Sequence, residues 1–321
     1  MSSYLWQRKW RIIVTDENDE KALDVSEMHC HFEVRKRRAQ GGNTAVVRIY
    51  NLANDTEQQL IKEGDRVIIE AGYEGTLGAV QAKGETAQQY GKIFDGKIIY
   101  PARSKDSNTD FALTLSCIDG NDQQLLNYIS MAVNKGMNQR QALEAACSNA
   151  KIPIQIDHLT DKLRQQILPR GKIYFGRPVD YVEDICRGNA ATWFFEQDRL
   201  NVYTLLDIAD DEALEIDPAT GLVGIPQQTV SGLNFRLLLN PSIKLMTKIK
   251  LARSEINEQA LMPKQKQARL DDEWIYQATE VTHIGDTRGN EWYTDVVGIS
   301  RYGDGSIPGI LMNKSQTPNQ A

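Results

Sequence analysis

Residues 28–34, MHCHFEV, alternate without a break: Met28, Cys30, Phe32 and Val34 fall on one side and His29, His31 and Glu33 on the other. A period of two marks a half-buried strand and has no place on a helix, so this part of the chain is committed to a sheet. Its neighbours follow in order. TAVVRIYNL returns after the turn GGN, RVIIEAGY comes next, and KIFDGKIIYPAR pairs with DFALTLSCID across the polar turn SKDSNT. Between them a short helix is expected, capped by Asp55 or Thr56 and ended at Gly64, with Asp65 turning the chain into the next strand. Gly72 to Tyr90, rich in Gly, Ala and Gln, reads as a loop. Short strands with one helical crossover suggest a small barrel.

The period changes in the middle third. QQLLNYISMAVNKG has apolar residues at helical spacing and predicts one helix, and NQRQALEAACSNA, capped by Asn138, predicts another. PVDYVEDICRGN opens with proline in its first turn and stops at Gly188, as a third helix would. IPIQI, KIYFG and ATWFFEQDRLNVYTL read as strands, the last a hairpin turning at Asp198 and Arg199. From Ala213 strands return: GLNFRLLLNPSIKLMTKIKLA holds two, with Asn240-Pro241 as the corner, since Pro241 has no N–H for a ladder. Residues 253–272 read as a long polar loop or a frayed helix, of the kind that contacts a partner.

The stretch VTHIGDTRGNEWYTDVVGIS, 281–300, gathers His283, Asp286, Arg288, Glu291 and Trp292 and raises the question of catalysis. An enzyme would use His283 as base and Asp286 as its orienter, but it would also need a nucleophile or a substrate pocket. No Gly-x-Ser-x-Gly elbow, HExxH or phosphate-cradling glycine loop occurs. The reading is therefore a hairpin. Tyr276, Ala278, Glu280, Thr282 and Ile284 share one face, Gln277, Thr279, Val281 and His283 the other, GDTRGN is the turn, and Trp292, Thr294, Val296 and Gly298 share a face of the returning strand.

Other candidate chemistry is weighed in the same way. His29 and His31 point one way and could be two metal ligands, but no third is placed beside them, so a solvated or interface face is expected. The basic run Arg35 to Arg38 is read as a solvated strand edge rather than a nucleic-acid contact, in a chain whose net charge of −6 disfavours nucleic-acid binding. Cys30, Cys117, Cys147 and Cys186 are scattered and read as reduced, mostly buried small hydrophobes. Gln7, Arg8, Lys9 and Arg11 interrupt any signal-peptide core, and no apolar stretch reaches the ~18 residues of a membrane span, so a soluble protein made in the cytoplasm, without membrane insertion, is expected. Glu196 with Asp198, or Asp271 with Asp272, would be the carboxylates of a cell-wall hydrolase, and Trp193, Trp274 and Trp292 the platforms of a polysaccharide-binding module. Such acidic pairs arise by chance among 43 acidic residues, and all three tryptophans lie in strand patterns where burial is expected.

The run GLVGIPQQTVSGLNFRLLLNPSIKL, followed by YQATEVTHIGDTRGNEWYTDVVGI, resembles the C-terminal barrel of phage baseplate hub proteins of the contractile-tail type. YNL…GDRVIIEAGY…IFDGKI resembles their N-terminal barrel, and Met246-Thr247 stands where the family usually has a glycine before its second strand. The positions that carry the resemblance are Leu239, Asn240 and Pro241 at the corner and His283, Gly285, Asp286, Gly289, Trp292 and Thr294 in the hairpin.

What the resemblance implies is a structural, non-enzymatic virion protein without a cofactor. Its fold would be α+β and mostly β, with two tube-like β-barrel domains (1–119 and 213–302) flanking a smaller α+β domain (120–212) and a flexible tail (303–321). Three copies would form a ring joining the sixfold tail tube, or its initiator proteins, to a threefold central spike, beside other baseplate proteins and with DNA only as passing cargo. Secretion-system spikes and contractile bacteriocins share this design. Ile307, Ile310, Leu311 and Met312 form an apolar cluster in the tail, a candidate contact for a distal partner.

Overall fold

Alternation sets the architecture, as the sequence predicts: the chain is α+β and mostly β. The computed structural model describes residues 7–16, 22–38, 42–53, 62–74, 81–82, 85–86, 90–106, 109–120, 126–163, 167–204, 213–218, 220–228, 232–251 and 274–300. The first strands are β1 (Arg8–Thr15), β2 (Ala22–Asp24), β3 (Cys30–Arg37), β4 (Thr44–Tyr50), β5 (Arg66–Tyr73), β6 (Gln81–Ala82), β7 (Glu85–Thr86), β8 (Tyr90–Lys105) and β9 (Phe111–Ile118). There follow β10 (Ile129–Val133), α1 (Gln139–Ser148), β11 (Gln155–Leu159), β12 (Lys172–Gly176), α2 (Pro178–Gly188), β13 (Ala191–Glu196) and β14 (Arg199–Thr204). The last are β15 (Leu214–Ile216), β16 (Leu222–Gln228), β17 (Leu233–Leu238), β18 (Lys248–Leu251), β19 (Ile275–Asp286) and β20 (Trp292–Ser300).

Two compact units emerge. The larger draws on Met1–Arg37, Thr44–Cys117 and Ala209–Pro308, the smaller on Arg38–Asn43 and Ile118–Ile208. In the larger unit one sheet runs β16-β17-β20-β19-β3-β4-β9-β8-β5-β1-β2, with β18 against β19 and β15 against β18. Strands from both ends of the sequence meet where β19 pairs antiparallel with β3, from Glu280↔Arg37 to Asp286↔His31. Burial follows the period of two: Cys30, Phe32 and Val34 are fully buried while His31 and Glu33 are half-exposed. The core under this region gathers Phe32, Val34, Val47, Ile69, Phe94 and Leu115 with Leu239 and Trp292 from the far end of the chain.

Three sequence expectations are corrected in this part of the chain. The basic run is no solvated edge, because β3 lies between β4 and β19. Lys36 and Arg38 are 3% and 4% exposed, and only Arg35 and Arg37 reach solvent, where they pair with Glu33 and Glu280. In β19 the register shifts between Ala278 and Glu280, a bulge that exchanges the faces, so Tyr276 and Ala278 are buried and then Val281, His283 and Gly285. The stretch from Gly72 to Tyr90 carries the paired strands β6 and β7. Met246 has a left-handed backbone, φ 70, held by its N–H bond to Ala278 O and by burial of its side chain. The expected helix before Gly64, the loop 253–272 with Asp271 and Asp272, and the tail with Ile307, Ile310, Leu311 and Met312 lie outside the described residues, apart from the last few positions of the first.

In the smaller unit α1 forms as expected, with a capping box in which the Asn138 side chain accepts from Gln141 N and the Gln141 side chain accepts from Asn138 N. α2 starts at Pro178 and stops at Gly188. The helix expected over 123–136, of which 123–125 lie outside the described residues, is overturned in its centre: Ile129–Val133 is a strand, antiparallel to β12. Ile129 and Val133 are buried and Ser130 and Ala132 exposed, so the period that wins is two, and partner strand β12 decides it. The β13–β14 hairpin turns one residue earlier than expected, at Gln197 and Asp198, whose φ values of 54 and 65 are those of a type I′ turn. Neither residue is the glycine or asparagine such a turn prefers. The carboxylate of Asp119 compensates by accepting from both Gln197 N and Asp198 N at 2.8 Å.

Asp119 is 2% exposed, and burial pushes its carboxyl up to about 6 against the opposing N–H bonds of Asp198 and Gln197. The folded chain therefore holds this proton more tightly than the unfolded chain, and Asp119 withdraws stability as pH rises from about 4 to about 6, by about 3 kcal/mol in total. Carboxyl-detected NMR is expected to show Asp119 titrating near pH 6, and Asp119→Asn to remove that slope from the stability–pH curve. A midpoint below 4.5 would contradict this reading.

Candidate functional site

The hairpin that posed the catalytic question is built from a corner and a turn. At the corner, Asn240 Oδ1 accepts from Ser242 N at 2.9 Å, which shapes the bend around buried Pro241, and Leu239 N donates to Trp292 O at 3.2 Å. Asn240 N donates to Thr294 Oγ1 at 3.0 Å, and Thr294 Oγ1 lies 2.9 Å from His283 Nδ1, so corner and hairpin share one hydroxyl. His283 is 0% exposed. Burial, and then the charge of Lys36, hold its pKa well below the ordinary histidine value, so it is neutral.

At the turn, Asp286 Oδ1 accepts from Arg288 N at 2.9 Å, from Gly289 N at 2.6 Å and from His29 Nε2 at 2.9 Å. Burial raises the Asp286 carboxyl, but these donors more than offset it and the pKa falls below the ordinary carboxylate value. His283 and Asp286, three residues apart on a strand, look to opposite faces. The pair that hydrolysis would need is not formed.

What the hairpin does is tie the two ends of the sequence together. Trp292 is 1% exposed, donates Nε1–H to Gly72 O at 3.2 Å, and meets the rings of Trp10 and Phe32 edge-on at 5.9 and 5.5 Å. The Phe32 ring lies where a side chain on Gly285 would have to go. Any side chain on Gly289 would press on the Asp286 carboxylate. Arg8 donates to Gly289 O at 2.6 Å and Asn290 O at 3.0 Å, and Thr287 exchanges two hydrogen bonds with Cys30, both 2.9 Å. Sequence reading missed Arg8 and Thr287, because neither carries a pattern and their partners are some 260 residues or more away.

His29 and His31 diverge onto different carboxylates, Asp286 and Glu291, and His29 stacks on Tyr50 with centroids 4.4 Å apart. Among the described residues no group of three or more His, Cys, Asp and Glu is placed to hold a metal ion. The four cysteines are free and buried, and burial pushes the Cys30, Cys117 and Cys147 thiols up to about 12. Trp193 and Trp292 are core residues and Trp274 is half-buried. Among the described residues no helix is long and apolar enough to cross a membrane.

No curated protein matches the sequence. Among solved structures the chain is similar to the 43 kDa tail protein of prophage MuSo2 from Shewanella oneidensis, with a TM-score of 0.57, 7% identity, and 91% of this chain and 97% of that one covered. It is similar to a tail protein of Neisseria meningitidis MC58, with a TM-score of 0.55, 9% identity, and 91% and 96% covered. It is also similar to a chain of the lidless PdpA–VgrG complex, with a TM-score of 0.53, 7% identity, and 92% and 65% covered. At these identities the likeness is one of fold. Residues 11–261 match the family model of baseplate hub gp41, a match that ends before the 275–300 hairpin. With most of its length matched, the chain belongs to the baseplate hub gp41 family and is a structural component of a phage tail baseplate.

Proposed function

We propose that the chain builds a homotrimeric hub ring joining the sixfold tail tube to a threefold central spike, with DNA passing through its channel and no reaction catalysed. The observation that carries this reading is the single sheet into which strands of 8–118 and 214–300 merge through β3 and β19. Two sheet-forming segments per chain, taken as tube-like barrel domains over 1–119 and 213–302, present six such segments in a trimer, and a threefold assembly can then meet a sixfold one. Residues 120–212 hang outside the tube wall in this reading, since helices would interrupt a continuous β lining, and the tail 303–321 reaches the spike through Ile307, Ile310, Leu311 and Met312.

The two ends of the sheet shape the subunit contacts. β2 is three residues long, and β16 carries Pro226 and a register shift between Val223 and Gln227. Both edges are blunted against strand addition. Side chains rather than one unbroken backbone ladder therefore join neighbouring subunits in the proposed ring. Cryo-electron microscopy of intact tail tips tests the reading: a threefold density between tube and spike, fitted by this chain with 120–212 on the outside, is expected. Density for 120–212 in the channel lining would overturn it.

A further inference from the structure

The β10–β12 ribbon of the smaller unit has one face packed on α1 and one that, among the described residues, is exposed. Ile129, Val133 and Tyr174 pack on Ala142 and Ala146 of α1. On the opposite face Ile173 and Phe175 are 77% and 78% exposed and stand across from Ala132 and Ser130. Tyr128 continues that face by alternation and is 53% exposed, and Leu126 and Ile167 in the flanking segments are 64% and 61% exposed. Half of the ten exposed large hydrophobics among the described residues thus fall within these two short segments, a concentration that marks an interaction surface.

The charge around this face says what kind of surface it meets. Segments 126–137 and 167–177 carry Lys135, Arg170, Lys172 and Arg177 and no Asp or Glu, in a chain of net charge −6, although Lys172 alternates onto the other face, over the Tyr174 and Tyr181 rings at 5.1 and 5.9 Å. Arg177 is paired with Asp180, and exposed Lys151 adds a further cation over the Tyr128 ring at 5.4 Å. An apolar centre with a basic rim is complementary to an apolar centre with an acidic rim. A second copy of the same face would set like charges together. The chain's own tail, with Arg301, Asp304 and Lys314, has no acidic excess to offer. A bilayer is entered by loop tips or amphipathic helices, whereas Ile173 and Phe175 sit mid-strand on a flat face.

From these features we infer that the outer face of the β10–β12 ribbon docks an acidic surface of a different baseplate protein, one that brings aliphatic or aromatic side chains to Ile173 and Phe175. Recognition runs through side chains, because the backbone of β12 is already closed at Phe175. Its N–H donates to Tyr181 Oη at 2.6 Å, and the Tyr181 hydroxyl donates to Phe175 O at 2.8 Å. The inference rests on membership of a baseplate and not on the number of subunits in the ring.

The test places the photocrosslinker benzoylphenylalanine at position 175 of the full chain in assembled tails, with mass spectrometry of the product. The expected product is a net-negative peptide of another polypeptide that carries aliphatic or aromatic residues. Crosslinks to this chain's tail, to a second copy, to lipid or to DNA would overturn the inference, as would no product at all. Two variants complete it, Ile173→Ser with Phe175→Ser, and Arg170→Glu with Lys151→Glu. All four side chains are exposed, so melting temperatures are expected to stay unchanged while incorporation into tails falls at least tenfold. Wild-type incorporation of both variants would also defeat the proposal.

Discussion

Trp292→Ala is expected to destabilise the larger unit by about 3–5 kcal/mol, the range for emptying a buried aromatic site. The ring is 1% exposed, and it touches what both ends of the sequence supply: Trp10 and Phe32 at its edges, Arg8 with its guanidinium 5.5 Å from the ring centroid, and Gly72 O as hydrogen-bond acceptor. Truncation removes the apolar contacts, leaves a cavity in the shared core and deletes the hydrogen bond to Gly72 O. Urea unfolding of the full chain measures the loss. The expected outcome is an earlier unfolding transition for the larger unit; a cost under 1 kcal/mol would show that Trp292 is not what holds 8–118 and 214–300 together.

Gly285→Ala carries the second large effect, about 2–3 kcal/mol, by over-packing rather than by loss. Gly285 pairs with Phe32 on β3 and with Trp292 on β20, and the Phe32 ring covers it. An aromatic laid over a strand glycine replaces the missing side chain with ring contact, so even a methyl group must displace the ring. The signature of this mechanism is non-additivity: Gly285→Ala combined with Phe32→Leu is expected to cost less than the two single changes summed. Additive costs would mean that Gly285 is needed for a reason other than Phe32.

Both effects bear on what a sequence can disclose. MHCHFEV and the return strand from Trp292 were legible because their burial is one-sided, and a period of two then has only one meaning. Asn138, Pro178 and Gly188 were legible because capping is local. QQLLNYISMAVNKG was not, because five of its residues pair with Lys172–Gly176, and that contact has no local signature. RKRR failed for the same reason: whether Lys36 is solvated depends on β19, some 240 residues away. The bulge after Ala278 was invisible because one extra residue leaves the alternation on either side intact. At the site, the glycines, Asp286 and Trp292 announced themselves as turn and core residues. Arg8 and Thr287, which close the hairpin onto the N-terminal strands, did not.

The proposed threefold ring is tested most directly by native mass spectrometry of the purified chain, alone and with a candidate central spike protein. A species of about 109 kDa, three times the 36.2 kDa of one chain, is expected for the chain alone, or that mass plus the bound spike's own once the spike is added. A stable 36.2 kDa monomer in both samples, with no ring by electron microscopy, would contradict it.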